Sequence, residues 1–300
     1  MNTLILGNGL VAKSLAKKLQ QEKGNITIVS RSIDDKIDGV NYVQSTLEEI
    51  SGRLDLFEGI DNVVHTMCSS TPASSMTDIS KDAYENVFLN IKLLDALKQV
   101  PLKKLVFLSS GGAIYGDQHN EYSTEADATN PVSAYGAGKL AVEKYLYLYN
   151  YHFGLNYVTL RPSNVYGYTK SLKKKAGVIN HLLNCAVQDE TFKLWGSPDN
   201  KKDYLYVDDL ANAIETLLGN DGTLNNRTYN LSAGHTVSIG EIIAIVEKLT
   251  GKQINIEKES SAKFDVSNIA VNSDLFRKDF SWTPSYDVEK GISAMLSQYS

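Results

Sequence analysis

The chain has 300 residues, 42% hydrophobic and 22% charged, enough apolar material for one large α/β domain or a main domain with a smaller one, and too much for disorder. Its net charge of −5 excludes a nucleic-acid binder that relies on bulk positive charge. Two cysteines, Cys68 and Cys185, form no disulfide framework and fit a reducing cytoplasm, and His65, His119, His152, His181 and His235 lack metal-ligand spacing.

The N-terminal apolar run Leu4–Leu6 stops at Gly7 with no basic segment before it, unlike a signal peptide. No stretch approaches the roughly 18 apolar residues of a membrane span. In chain order, β-branched runs read as strands at Thr3–Leu6, Ile26–Ser30, Tyr42–Gln44, Asn62–Thr66, Lys104–Ser109 and Tyr157–Arg161. Between the first two, Val11, Ala12, Leu15, Ala16 and Leu19 make the apolar stripe of a helix over Val11–Lys23, with Gly24 placed to stop it. Asp78–Gln99 and Ser133–Phe153 read as further long helices. The alternation predicts βαβ units wound into a Rossmann-type, doubly wound parallel sheet.

After Arg161-Pro162 the rhythm changes. Strands are expected at Phe192–Trp195, Tyr204–Val207, Thr228–Leu231 and Ile254–Glu257, with helices at Asp208–Leu218, Ser238–Leu249 and Val288–Gln298. No repeat or linker marks a boundary. We expect residues 1–165 to form a dinucleotide-binding domain to which some later strands return, and 166–300 mainly a smaller substrate lobe.

Gly7-Asn8-Gly9-Leu10-Val11-Ala12 follows the first strand and opens the first helix. Gly7 allows a tight turn, Gly9 lets backbone approach a pyrophosphate, and the N–H groups at Gly9–Val11 face the phosphates. NAD preference would place an Asp or Glu at the end of the second strand. That end reads Ser30-Arg31, which could bind a 2′-phosphate and leans toward NADP; alternatively Arg31 stacks on adenine or is a solvated loop charge. NAD and NADP both remain open.

Tyr135 and Lys139 lie four apart at the start of a predicted helix and share a face. A phenol with a pKa near about 10 is a poor base at neutral pH. The cation of Lys139, with that of an oxidised nicotinamide, favours tyrosinate. Tyr135 can then take a proton from a sugar hydroxyl as hydride leaves the carbon.

The chain resembles the extended short-chain dehydrogenase/reductases, in particular the UDP-glucose 4-epimerase-like group of nucleotide-sugar epimerases and dehydratases. The likeness rests on the glycine turn, Asn90, Phe107 through Gly116, Tyr135-Gly136-Ala137-Gly138-Lys139, Leu160 through Gly167, Trp195-Gly196, Lys202 through Leu210, and Trp282-Thr283-Pro284. It implies that Tyr135 and Lys139 are catalytic. It places Asn90, Ser109 and Pro162 at the cofactor, together with Gly7, Gly9, Leu10, Val11, Ser30 and Arg31. It implies substrate contacts from Asn164 and Lys202 to the diphosphate, from Lys193 and Trp195 to the base, and from Ser70 and Val178. Lys263 stands as a substitute for a phosphate arginine.

Three departures stand out. Gly111 occupies the position where the usual epimerase has a catalytic Ser or Thr; Ser110, re-aimed by the glycines, takes its place, or else water or Tyr135 alone contacts the sugar oxygen. Ser30-Arg31 replaces the NAD-type acid, and lysines replace two phosphate arginines. Gly111-Gly112 also lacks the acid pair that dehydration requires. The basic run from Lys170 to Lys175 is read as a solvated loop, Ser69–Ser75 as a ligand contact or a lid, and Cys68 as a small buried filler. Tyr145 and Tyr149 are read as packing or a dimer surface. The expected protein is a cytoplasmic 4-epimerase of a nucleotide sugar, UDP-linked by resemblance, and a homodimer. An NADPH-dependent 4-keto-6-deoxy nucleotide-sugar reductase is the second reading, and a non-catalytic Rossmann-type sensor the third.

Overall fold

The computed structural model describes residues 1–117, 122–170, 177–220, 222, 228–259 and 269–299. A seven-stranded sheet runs in the order β10-β6-β5-β4-β1-β2-β3, from Thr228–Leu231, Tyr157–Pro162, Lys104–Leu108, Asn62–His65, Asn2–Leu6, Asn25–Ser30 and Asn41–Gln44. Every pairing in it is parallel. The chain order reverses between β1 and β4, so the carboxyl ends of these two strands flank the crevice where such sheets bind ligands. β4, β5 and β6 are buried along their whole length, as strands covered on both faces must be.

One face of the sheet is covered by helices Leu10–Gln21 and Val207–Gly219, whose Leu15, Leu19, Leu210 and Ile214 share a core with Val106, Val158 and Leu160. The other face is covered by Leu89–Leu97 and Ala134–Phe153, through Leu93, Leu97, Val142 and Leu146. Three elements from beyond residue 166, β10, the Val207–Gly219 helix and, through Phe276 and Phe280, the Asp274–Phe280 helix, thus belong to this core. The remaining strands form a three-stranded sheet of β7 (Asn164–Tyr166), β9 (Lys201–Tyr206) and β11 (Thr236–Ser238), and a pair of β8 (Phe192–Trp195) and β12 (Ile256–Glu259). They pack with helices Gly177–Gln188, Ile239–Thr250 and Val288–Leu296 around a separate apolar core.

Local chemistry set several ends differently from expectation. The first helix closes through Lys23, at φ 57, and not at Gly24. The long helix expected over Asp78–Gln99 is interrupted by a π turn, Tyr84–Phe88, where Leu89 N–H reaches back to Tyr84 O. Ser133 caps the Ala134–Phe153 helix by accepting from Gly136 N–H, and Gly154 ends it at φ 70. No helix among the described residues is long and apolar enough to cross a membrane.

Candidate active site

A cavity of about 490 Å³ opens at the carboxyl edge of the sheet, within the range of small-molecule sites. On the sheet side its walls include Val11, Thr66, Leu108, Ser109 and Pro162; on the lobe side, Asn164, Val178, Lys202, Tyr204 and Ile239. Tyr135, Lys139, Ser110 and Cys68 meet between them. Residues far apart in sequence, from Val11 to Ile239, are therefore brought to one space by strand ends and helix starts.

The Tyr135–Lys139 pair sits on the first two turns of the Ala134–Phe153 helix. Gly136 lets that helix lie against the backbone of Ala113, where any Cβ would collide with a carbonyl oxygen. Lys139 is buried, and its Nζ donates to Leu108 O at 2.8 Å. The same ammonium lies 4.9 Å from the Phe107 ring centre and 5.9 Å from that of Tyr135. Burial pushes the Lys139 pKa down, opposed by Cys68 and Glu143. Burial likewise pushes the Tyr135 phenol up, Cys68 adds to the rise, and a hydrogen bond with Ser110 pulls against it.

Ser110 faces Tyr135 because the chain is not extended beyond it. Gly111–Ile114 turns into a short helix with Ser110 at its N-cap. A Cβ on Gly111 would stand 2.8 Å from Arg161 O and 3.2 Å from Pro162 O, so β6 leaves no room there for a serine. The structure thus brings the hydroxyl of Ser110, one residue before Gly111, to Tyr135.

The residues at the β1 turn fit a dinucleotide. Gly7 has φ 118, and a Cβ there would strike Thr66 Oγ1; Gly9 faces open space. The following helix begins without a side-chain cap, which leaves its first N–H groups for an anion. Ser109 Oγ is buried at the cavity wall with no hydrogen-bond partner among the described residues. Asn8 Nδ2 ties this turn to the loop after β2 through Ser32 O and Asp34 O, at 3.3 and 3.0 Å. Ser30 ends β2 and Arg31 is exposed beside it. No cluster of His, Cys, Asp and Glu among the described residues could hold a metal.

Several expected contacts fall elsewhere. Asn90 stands behind the cavity: its amide oxygen accepts from His65 Nε2 at 2.6 Å and its Nδ2 donates to Asn86 O at 3.0 Å. Ser70 is held by Asn86 Nδ2 at 3.3 Å and does not line the cavity. Lys193 and Trp195 point to the outer face of β8, because burial alternates along it, and Lys193 pairs with Glu259 at 3.3 Å. Cys68 is exposed on the cavity wall, not a buried filler, because the loop after β4 faces the crevice. Lys263, His119 and most of the basic run, residues 171–175, lie outside the described residues. Sequence reasoning passed over Thr66 and Tyr204; Thr66 follows directly on β4, where the carboxyl-edge rule alone points to a ligand contact.

His65 is neutral in this fold. Met67 N–H donates to its Nδ1 at 3.2 Å, so Nε2 carries the proton given to Asn90. Burial first, and the charge of Lys139 second, lower its pKa from 6.5 to about 3. The unfolded chain gains a proton near 6.5 that the fold refuses until about 3, so this stability is complete above the window and lost as pH falls through it. On lowering the pH from about 7 to about 5, His65→Gln is expected to lose about 2 kcal/mol less in urea unfolding than the parent chain. Equal losses would clear His65.

Residues 3–232 match the model of the NAD-dependent epimerase/dehydratase family. The chain belongs to this family. Within it, an Escherichia coli dTDP-4-dehydro-6-deoxyglucose reductase is 28% identical, over 97% of this chain and 94% of that protein. A Lacticaseibacillus casei UDP-glucose 4-epimerase is 31% identical over 77% and 73%. Among solved structures, the Thermus thermophilus UDP-glucose 4-epimerase in complex with NAD superposes with a TM-score of 0.91 at 25% identity, covering 100% of this chain and 99% of that one. The family places the chain among the extended short-chain dehydrogenase/reductases, nicotinamide enzymes with a Rossmann-type sheet, and the strand order matches such a sheet.

Proposed function

We propose that the protein is a nucleotide-sugar 4-epimerase acting on a UDP-sugar. The observation that carries this is the meeting of Tyr135, Lys139 and Ser110 in one cavity, beside a strand–turn–helix cradle for a dinucleotide. When bound, the nicotinamide supplies the hydride acceptor and donor. Tyr135 takes the proton of the C4 hydroxyl, and Ser110 holds the phenol oxygen and the sugar oxygen in line. Lys139, seated on Leu108 O, offsets the charge of the tyrosinate. The 4-keto sugar turns about its diphosphate link, and Tyr135 returns the proton once the other face of C4 has been reduced. Asn164 and Lys202 bind the diphosphate, and Val178 lines the approach to the base.

Residues 1–165 bind the dinucleotide and 166–300 mainly the nucleotide sugar. The protein works in the cytoplasm, in surface-polysaccharide precursor synthesis. It acts as a homodimer through the outer face of the Ala134–Phe153 helix, where Tyr147, Tyr151 and Phe153 are exposed, as is Phe88 on the adjoining Tyr84–Phe88 turn. Sedimentation of the purified chain reads this state directly.

Ser30 and Arg31 support NADP, since no acid ends β2 to accept from a free 2′-hydroxyl. Arg31→Ala is expected to weaken NADPH binding about tenfold, the loss of one charge-assisted contact, and to leave NADH binding unchanged. Mass spectrometry of the dinucleotide released on denaturation gives the independent answer: stoichiometric NAD would overturn the role given to Arg31. The near full-length match to the Escherichia coli reductase favours, as the second reading, NADPH-dependent reduction of a 4-keto-6-deoxy sugar by the same Tyr135 and Lys139.

A further inference from the structure

Glu143 continues the line of Tyr135 and Lys139, each four residues after the last, so the three share one face of the Ala134–Phe153 helix. It is buried, and so is Arg161 on β6. The two form a fork, with Arg161 Nε to Glu143 Oε1 at 3.1 Å and Nη2 to Oε2 at 2.6 Å. The third guanidinium arm, Nη1, donates to Tyr115 Oη at 2.8 Å, and Tyr115 in turn donates to Asn230 Oδ1 on β10 at 2.8 Å. Both carboxylate oxygens are thus engaged in a bidentate pair, the geometry that fixes orientation most strictly.

The position of this fork gives it a task. Arg161 precedes Pro162 and Tyr115 lies two residues after Ala113, so its two ends hold the segments that carry the cavity walls. Between them Gly111 presses on Arg161 O, the contact that excludes a serine and leaves the hydroxyl on Ser110. A buried ion pair is a weak source of stability, since apolar residues of similar volume do as well. Its directional hold is what an apolar pair cannot copy.

The geometry points to the Glu143–Arg161 fork as a positioning device for the catalytic pair: it fixes the turn of the helix that keeps Lys139 on Leu108 O beside Tyr135. This rests on the functional reading above. The charged and titratable groups around Lys139 are Glu143 and Tyr135 from its own helix, and Cys68 and His65 from the β4 side. Those around Glu143 are Arg161 and Tyr157 from β6. Of these, Glu143 is the carboxylate that favours the Lys139 ammonium against desolvation.

The test is the pH profile of kcat for the full chain with bound cofactor, measured for UDP-glucose epimerisation and for NADPH-dependent reduction of a 4-keto-6-deoxy nucleotide sugar. Glu143→Gln keeps the shape and removes the charge. It is expected to lower kcat about ten- to a hundredfold with KM within about twofold, the loss that follows from misplacing a reacting group by an ångström or less. Its alkaline limb is expected to move to lower pH as the Lys139 ammonium loses support. The pair Glu143→Met with Arg161→Met guards against a folding defect: it is expected to match the parent melting temperature and to stay as slow as Glu143→Gln. A folded double variant with parental kcat, or Glu143→Gln with unchanged kcat and limbs, would show the fork to be structural only and overturn the proposal. A parent chain inactive in both reactions would overturn the functional reading first, and the fork's role with it.

Discussion

Tyr135→Phe is expected to lower kcat by about 10³-fold, within the contribution of a placed general base, while nucleotide-sugar and dinucleotide affinities stay within about twofold. Phe keeps the ring that faces the Lys139 ammonium and removes only the phenol oxygen. The helix start is unaffected, since Ser133 caps it and Gly136 packs it on Ala113. The half-buried phenol gives up only its hydrogen bond with Ser110, so the melting temperature is expected to change little. Stopped-flow absorbance of the reduced nicotinamide separates this from a binding defect, because the variant should bind sugar without the absorbance change. A variant that keeps more than a tenth of the activity would move the base to Ser110 or to water.

The second large effect is on stability. Asp203 is fully buried on β9 and accepts from Ser163 Oγ, from Ala233 N–H at 3.0 Å and from Gly234 N–H at 3.0 Å. One carboxylate therefore ties the lobe sheet to the segments that leave β6 and β10. Asp203→Ala strands two buried donors, Ser163 Oγ and Ala233 N–H, and frees a third at the exposed Gly234, and is expected to cost about 3–5 kcal/mol in denaturant unfolding. Burial pushes this carboxyl up in spite of its three donors. Asn, neutral and of the same shape, is accordingly expected to cost only about 1–2 kcal/mol. Equal losses for the two variants would mean that the charge, not the acceptor geometry, holds the joint. Asn164 Nδ2 donates to Asp203 O at 2.9 Å, so the Ala variant is also expected to raise KM for the nucleotide sugar.

The strands were legible because burial on both faces demands unbroken apolar runs, as in Leu105–Leu108, and turn residues bound them. Tyr135 and Lys139 were legible because their spacing is local and helical. What escaped depends on contacts between distant segments. The π turn at Tyr84–Phe88 accompanies Asn90 Nδ2 reaching Asn86 O, and no periodicity encodes it. The turn at Gly111 answers to the carbonyl of Arg161, fifty positions on, and without it Ser110 would read as pointing away. Lys193 and Trp195 read as base contacts from motif order, yet strand alternation puts both on the outer side of β8. Cys68 read as filler from its residue type, whereas its place at a strand's carboxyl edge decides its exposure.

The most direct test of the central claim is incubation of the purified protein with UDP-glucose in D₂O, without added reductant, with the product read by NMR. The account predicts an equilibrium mixture of C4 epimers with no deuterium at C4, because the hydrogen leaves and returns without meeting solvent. No interconversion, paired with stoichiometric NADPH consumption on a 4-keto-6-deoxy nucleotide sugar, would contradict epimerisation and establish the reductase.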